Sequence, residues 1–369
     1  MRARVILSIL PALIVLAFGL SAQDIVRCPD QNLSLGERWK WAARTGAREA
    51  GGKEYWIGYC IERLMNEDSY MNSGNFWSGS MESRRSIYDL ISGDSTRHAE
   101  GRRSWGGMKR TNIVKVLKEV AILFRVSGSL SDEGSIKKLD VSNMELSVEL
   151  RNKPLVWLGR ADDDESVGLL KDLFVRQSSD VVKKDLMTAI GIHQNSREAF
   201  PFLAGVLKGD QADEIRSQAA FWLGQQNRSE GLAVLIAAAR DDRSAKVKEQ
   251  AVFGISQLSS EESTEALITL ARKARDTKVR AKAAFWLGQK ASEKAVAALE
   301  SIIADDEVTD VQRQALYALA QIHTAEGVDR LIKIATTPPN PRIRKQAIQC
   351  LGQSDDSRAL DALIAIVRK

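Results

Sequence analysis

The chain has 369 residues, too many for one small core and suited to two domains or a repeat array. A hydrophobic fraction of 44% against 27% charged excludes a disordered protein, and seven prolines leave room for many helices. Three histidines and three cysteines leave little material for a metal site, and a net charge of +5 falls to +3 once Arg2 and Arg4 are set aside.

The segment from Met1 to Ala22 stands apart from the fold. Arg2 and Arg4 precede an apolar run from Val5 to Leu20, broken only by Ser8, Pro11 and Gly19, and Ser21 and Ala22 are small. This pattern is a secretory signal peptide cleaved after Ala22, which makes the protein exported, periplasmic or extracellular. An uncleaved single-span anchor is the alternative, and only that case attaches the chain to a membrane. Cys28 lies well past Ala22 and follows Ile25-Val26-Arg27, which excludes a lipoprotein box. Export permits disulfides, and Cys28 and Cys60, both in the N-terminal module, are expected to pair. Cys350 stands where other repeats place Trp222 and Trp286 and is expected to be a buried free thiol.

Residues 23–150 form a small α+β module without repeats. It holds Trp39, Trp41, Trp56, Trp77 and Trp105, five of the eight tryptophans. Glu54–Ile61 (EYWIGYCI) is aromatic and β-prone, a predicted strand. Glu119–Val126 and Ser135–Val141 are expected to pair as a hairpin across the SLSDEG turn, while Met71–Gly107, rich in Gly, Ser and Asn, is predicted to be a long loop with short elements. Arg84, Arg85, Arg97, Arg102, Arg103, Lys109 and Arg110 cluster there with Trp105. They are either a solvated loop or a contact for an anionic ligand or surface.

Residues 151–180 are predicted to be a degenerate capping repeat. Gly159, in Trp157-Leu158-Gly159, precedes Gly191 by the same interval that separates Gly224 from Ser256. Pro154 cannot sit inside a first helix, however, so only the second helix, Glu165–Val175, is expected to survive. Asp162–Asp164 at its N-terminus suit the helix dipole. Without ligand alternation or a loop glycine they do not specify a calcium loop.

From residue 181 to 369 the sequence repeats, with one spacing from Gly224 to Ser256, Gly288, Ala320 and Gly352 and with Gly191 one repeat earlier across one extra residue, giving six helix pairs. Ile215, Val247, Val279, Val311 and Ile343 share a column. Ala219, Ala251, Ala283, Ala315 and Ala347 lie four residues on, and Leu223, Ile255, Leu287, Leu319 and Leu351 four further. That spacing is one face of an α-helix. Glycine at 224, 288 and 352 predicts left-handed caps. A second helix follows, with Leu235, Leu267, Leu299, Leu331 and Leu363 in one column and Ala238, Leu270, Ile302, Ile334 and Ile366 three residues on. Such a pair cannot bury its apolar face alone, and stacking completes the core. Phe221, Phe253, Phe285 and Tyr317 fill a column that turns polar at Gln349, as a capping repeat requires. Gln225, Gln257, Gln289, Gln321 and Gln353 predict a glutamine ladder. Arg216, Lys248, Arg280 and Arg344 predict ion pairs to the acidic loops that close the preceding repeats, for instance Asp241, Asp242, Asp276 and Asp305.

Blocks such as EIRSQAAFWLGQ and KVRAKAAFWLGQ, each followed by a second helix of the KAVAALESII type, resemble the HEAT repeat, and more narrowly the short HEAT-like repeat of phycobilisome lyases. FWLGQ and IRKQAIQCLGQSDDSRALDALIAI are similar to secreted bacterial HEAT-repeat proteins. The resemblance covers about half the chain and implies a mainly α fold, an α-solenoid of helix pairs carrying the small N-terminal α+β module. It does not imply an activity. HEAT-like di-iron hydroxylases use repeated His-Glu pairs, and no His-Glu dipeptide occurs here.

His98, His193 and His323 are single, and no Gly-x-Ser-x-Gly, His-Glu-x-x-His, Walker or dinucleotide fingerprint is present, so no catalytic residue, metal or cofactor is predicted. Residues 23–150 carry 19 Lys and Arg against 18 Asp and Glu, and residues 151–369 carry 32 against 30, which argues against nucleic acid as a partner. A solenoid offers the concave face built from its second helices to a protein or peptide. Register places Arg240, Glu265, Thr269, Arg272, Ser301, Asp329, Lys333 and Asp361 on it. The expected function is an exported, non-catalytic binding scaffold or adaptor. The alternative is an enzyme or enzyme subunit with a ligand site in the Trp-rich module.

Overall fold

The computed structural model describes residues 25–66, 69–72, 75–78, 115–128, 136–142, 153–322, 325–336, 340–354 and 356–368. Residues 1–22, read as a signal peptide, the Arg84–Arg110 cluster with Trp105, His98 and His323 lie outside the described residues. The chain divides between Ala199 and Phe200 into two compact units.

The first unit is built on a five-stranded sheet, β1 (Ile25–Arg27), β2 (Glu54–Asn66), β5 (Lys115–Ser127), β6 (Ile136–Ser142) and β7 (Leu155–Arg160), in the order β1-β7-β2-β5-β6. β2, β5 and β6 are antiparallel, and the predicted β5–β6 pairing is present with Phe124 opposite Leu139. β3 (Ser69–Asn72) and β4 (Asn75–Ser78) form a separate two-stranded ribbon. β4 falls within the stretch read as loop.

Two elements differ from the sequence reading. α1 (Leu35–Glu49) was not foreseen, although Ser34 and Glu37 are a complete capping box: the Ser34 hydroxyl accepts from the Glu37 N–H, and the Glu37 carboxylate accepts from the Ser34 N–H. Leu155–Arg160 is a strand, not the remnant of a repeat. Its run Leu155, Val156, Trp157 and Leu158 is buried throughout, and β7 lies parallel between β1 and β2, where both faces need apolar side chains. The second helix of that segment, α2 (Asp163–Arg176), forms as expected, with Asp162 as its N-cap. α3 (Asp180–Gly191) packs on β6 and α2.

Trp39, Trp56 and Trp157 belong to the core. Trp56 and Trp157 lie with Cys60 and Leu123 on one face of the sheet, and on the other Trp39 of α1 meets Phe124 edge-on at 4.8 Å. Each fully buried large apolar side chain contributes roughly 1.5–3 kcal/mol. Buried Arg38 ties α1 to the strand end, donating to the Leu158 and Arg160 carbonyls at 2.6 and 2.8 Å, with Glu165 of α2 at 3.5 Å.

The expected Cys28–Cys60 disulfide is absent, and both are buried free thiols. Cys28 follows β1, Cys60 is in β2, and β7 runs between them, so they stand two strand spacings apart, about 9–10 Å. A disulfide needs Cα atoms within about 7 Å. Burial pushes the Cys60 thiol up to about 12, and Glu119 adds to the effect. Cys350 is a buried free thiol, as expected.

The second unit contains α4 (Ala199–Lys208), α5 (Asp213–Gln225), α6 (Glu230–Asp241), α7 (Ala245–Gln257), α8 (Glu261–Lys273), α9 (Thr277–Lys290), α10 (Glu293–Asp305), α11 (Thr309–Ala320), α12 (Ala325–Thr336), α13 (Pro341–Leu351) and α14 (Ser357–Val367). α5, α7, α9, α11 and α13 are first helices, each packed on the next. The three first-helix columns are buried in all five repeats, from Ile215 to Leu351. Phe221 stacks on Phe253 at 5.7 Å and 7°, so the aromatic column does join neighbouring repeats.

The glycine column has a different cause from the one expected. Gly224 and Gly288 lie within α5 and α9, and neither they nor Gly352 has positive φ. A Cβ on Gly224 would lie 2.5 Å from the Gly254 Cα, and one on Gly288 would lie 2.7 Å from the Ala318 carbonyl oxygen. Glycine here admits the backbone of the next first helix. The left-handed turn residues come three positions later, at Asn227 and Ala291.

Candidate functional site

The charged groups of the second unit form two sets. The first lies at the helix ends. Arg216 of α5, almost fully buried, grips Asp242 through two bonds of 3.1 and 2.9 Å, reaches Asp213 at 2.9 Å and donates to the Gln211 carbonyl at 2.5 Å. Arg280 of α9 repeats the arrangement with Asp306 and the Ala274 carbonyl, and Lys248 of α7 pairs with Asp276 at 3.4 Å. The column therefore differs from expectation: Arg216, Lys248 and Arg280 each pair with the loop that closes their own repeat, and the two arginines reach the preceding loop through a backbone carbonyl. Gln312 holds the same position in α11 without charge, donating to the Ile303 carbonyl and accepting from Asn340. These groups are stacking hardware. Of the glutamine ladder, one link is present among the described residues, Gln289 to Gln321 at 3.0 Å.

The second set lies on the second helices. Arg240, Glu265, Thr269, Arg272, Asp329, Lys333 and Asp361 are exposed, whereas Ser301 is half-buried and bonds Asp305. The structure does not pair these residues with one another. Their partners were missed in the sequence. Lys294 bridges Glu261 and Glu265, Glu300 accepts Arg330 at 2.8 Å and Lys333 at 3.0 Å, and Arg358 meets Asp329 at 2.8 Å. All join successive second helices at separations of 29 to 33 residues, a spacing that an opposite-charge search one repeat apart would have found. Arg240, Arg272 and Asp361 take no ion pair among the described residues.

In the first unit, polar groups gather where β7 hands over to α2. A cavity of about 490 Å³ is lined by Glu62, Leu117, Arg160, Ala161, Asp162, Asp163 and Asn195. Arg160 is held between Glu62 and Glu119. The three aspartates do separate jobs. Asp162 accepts from the Glu165 N–H, Asp164 latches Ser196 and the Arg197 N–H, and Asp163 is partly buried, which raises its carboxyl above the ordinary range. His193 is buried. Its Nδ1 donates to the Ala189 carbonyl at 2.7 Å, so the neutral ring presents Nε2 without a hydrogen-bond partner. A second proton would be buried unpaired, and the pKa falls to about 4. Among the described residues no group of His, Cys, Asp and Glu is placed to hold a metal ion.

The profile of HEAT repeats matches residues 232–320, 264–342 and 303–369. No curated protein matches the chain. Among solved structures, human deoxyhypusine hydroxylase in complex with glycerol aligns at 20% identity over 55% of this chain and 85% of that one, with a TM-score of 0.24. The complex of CpcE and CpcF of phycocyanin lyase from Nostoc sp. PCC7120 aligns at 16% identity over 55% and 81%, with a TM-score of 0.30. With TM-scores this low, neither likeness bears on function. Residues 232–369 are HEAT repeats, and the helix pairs upstream of them continue the same columns.

Proposed function

We propose that the protein is a binding scaffold whose protein partner lies along the exposed row of second helices. The observation behind this is the division of charge in the repeat array. In one first-helix column Arg216 and Arg280 are drawn into loop contacts, whereas the second helices carry charges at the surface from Arg240 to Asp361. Ion pairs between successive second helices hold that row in a fixed order, and Arg240, Arg272 and Asp361 remain available to a partner. Fixed, mixed charge gives orientation and selectivity more than bulk affinity. The signal-type segment from Met1 to Ala22 makes this a scaffold of an extracytoplasmic compartment, which N-terminal sequencing of the mature protein tests.

Crosslinked affinity capture from the native host, read by mass spectrometry, tests the surface. Native protein and a variant with Glu265, Asp329 and Asp361 changed to lysine are compared. The reading expects a partner recovered with the first and lost with the second. The same partners with both would sink it. Trp39 and Trp56 of the N-terminal module are core residues, and among the described residues the Glu62–Arg160 cavity favours an enzyme or ligand-binding role. Native mass spectrometry of the purified protein, with Arg160→Ala as the control, decides that reading.

A further inference from the structure

The second-helix column that follows the regularly spaced leucines is filled by large aliphatic side chains, with one exception. Val206 of α4, Leu270 of α8 and Ile302 of α10 are buried in it, and Ile334 and Ile366 continue it. At α6 the same position is Ala238, which is only half-buried. Ala238 lines a depression of about 380 Å³, within the range of about 300–1,000 Å³ typical of small-ligand sites. Its floor is apolar, made by Leu207, Val234, Ala237 and Ala238. Lys208 and Asp241 stand on its rim, both exposed and neither in an ion pair among the described residues. Arg216 and Asp242, already locked to each other, close its back.

We infer that this depression is an anchor site that takes one aliphatic side chain from a partner's extended segment, with flanking charges of both signs meeting Asp241 and Lys208. The inference rests on the scaffold reading and adds the point at which the partner is held. Two features select the occupant. The other repeats fill this column with Leu, Ile or Val from within, so the space beside Ala238 admits a branched aliphatic group. The rim offers one cation and one anion without partners, which matches a charged peptide segment and not a wholly apolar one. A buried anchor ringed by polar contacts is the arrangement that concentrates binding energy in a protein interface.

The test is built into the repeat. Ala238→Leu restores the residue that α8 carries at this position and occupies the part of the depression beside it. It is expected to melt at or above the native temperature, and Ala238→Ile serves as a second filling variant if it does not. The full chain is panned against a displayed library of random linear peptides. Enriched peptides are expected to share one Leu, Ile or Met beside charged residues. A synthetic representative is expected to weaken at least about tenfold on Ala238→Leu, and equally when its aliphatic residue becomes Ala, which corresponds to about 1.4 kcal/mol. Loss on Ala238→Leu supports the anchor site whatever the charge-reversed variant does. Binding unchanged by Ala238→Leu but lost with Glu265, Asp329 and Asp361 reversed overturns the anchor and leaves the scaffold reading intact. Binding indifferent to both, or a library without enrichment, overturns both.

Discussion

The two units hold themselves together over very different stretches of chain. In the first, β7 pairs with β1 from the opposite end of the module and with β2 from its middle, and Arg38 reaches carbonyls 120 and 122 residues away. In the second, nearly every contact joins a helix to the next helix or to its counterpart one repeat on, and the ion pairs, apart from those within one helical turn, span 26 to 33 residues. The first unit is thus a single nonlocal core, whose parts are useless apart. The second is a sum of similar interfaces, in which one damaged repeat weakens its neighbours first. The difference makes their failures separable.

The largest effect is expected at the buried cation of the array. Arg216→Ala strands Asp242 and the Gln211 carbonyl, and such a break costs about 3–5 kcal/mol. Lys248→Ala, at the same column position but half open to water, should cost about 1 kcal/mol or less. Urea unfolding of both variants measures the contrast. Equal effects would mean that burial does not grade this column.

Next comes the acid response of the first unit, where two groups oppose each other. His193 has a folded pKa of about 4 against an unfolded value near 6.5, chiefly through burial, with Arg63 also lowering it and the Ala189 bond and Asp164 raising it. The stability it contributes is full above pH 6.5 and falls as the pH drops toward 4, by about 2 kcal/mol at pH 4.5. Asp185 of α3 is raised to about 6, chiefly by burial, with Asp140 adding to this and Lys184 and Lys138 opposing it. Its strain is absent below pH 4 and grows as the pH rises through 6, by about 1–2 kcal/mol. The native protein should therefore show a shallow profile across this window. His193→Leu should become more stable on acidification and Asp185→Asn less, as read by denaturant titrations at pH 4.5 and 7. Parallel profiles for the two variants would contradict the opposed signs.

Glycine substitutions sharpen the same contrast at smaller scale. Gly224→Ala places a methyl against the backbone of Gly254 and should destabilise the array by roughly 1–3 kcal/mol. Gly168→Ala in α2 and Gly205→Ala in α4 meet nothing within 4 Å, and each should stabilise its unit by up to about 1 kcal/mol through helix propensity. Thermal melts compare the three. The smallest effect is reserved for Lys294→Ala, which removes an exposed bridge between second helices. Its melting temperature should hardly move, whereas the affinity for a protein partner should become less dependent on salt.

Legibility followed the range of the contacts. The helix pairs, the buried columns and the aromatic stack from Phe221 to Phe253 could be read because each repeat shows its neighbour the same face, so column and structure coincide. β2 and the β5–β6 pair were legible from alternation and aromatic content. Trp157-Leu158-Gly159 misled because an apolar run of this length has no period that separates a buried strand from a helix turn, and its offset from Gly191 coincided with the repeat. The free thiols of Cys28 and Cys60 were hidden for the same reason, since only the sheet order puts β7 between them. The exposed row on the second helices could be placed by register, whereas its ion pairs were legible only as opposite charges about one repeat apart, because register names the face and not the rotamers.

What the sequence by itself determined is the repeat: period, helix faces and buried columns follow from residues at most two repeats apart, where local spacing and spatial contact are the same thing. What only the tertiary structure decided is where distant segments meet. The central place of β7, the burial of His193, the close approach at Gly224 and the depression beside Ala238 each depend on a neighbour brought in from elsewhere. A vacancy in a packed row exists only once the row has packed.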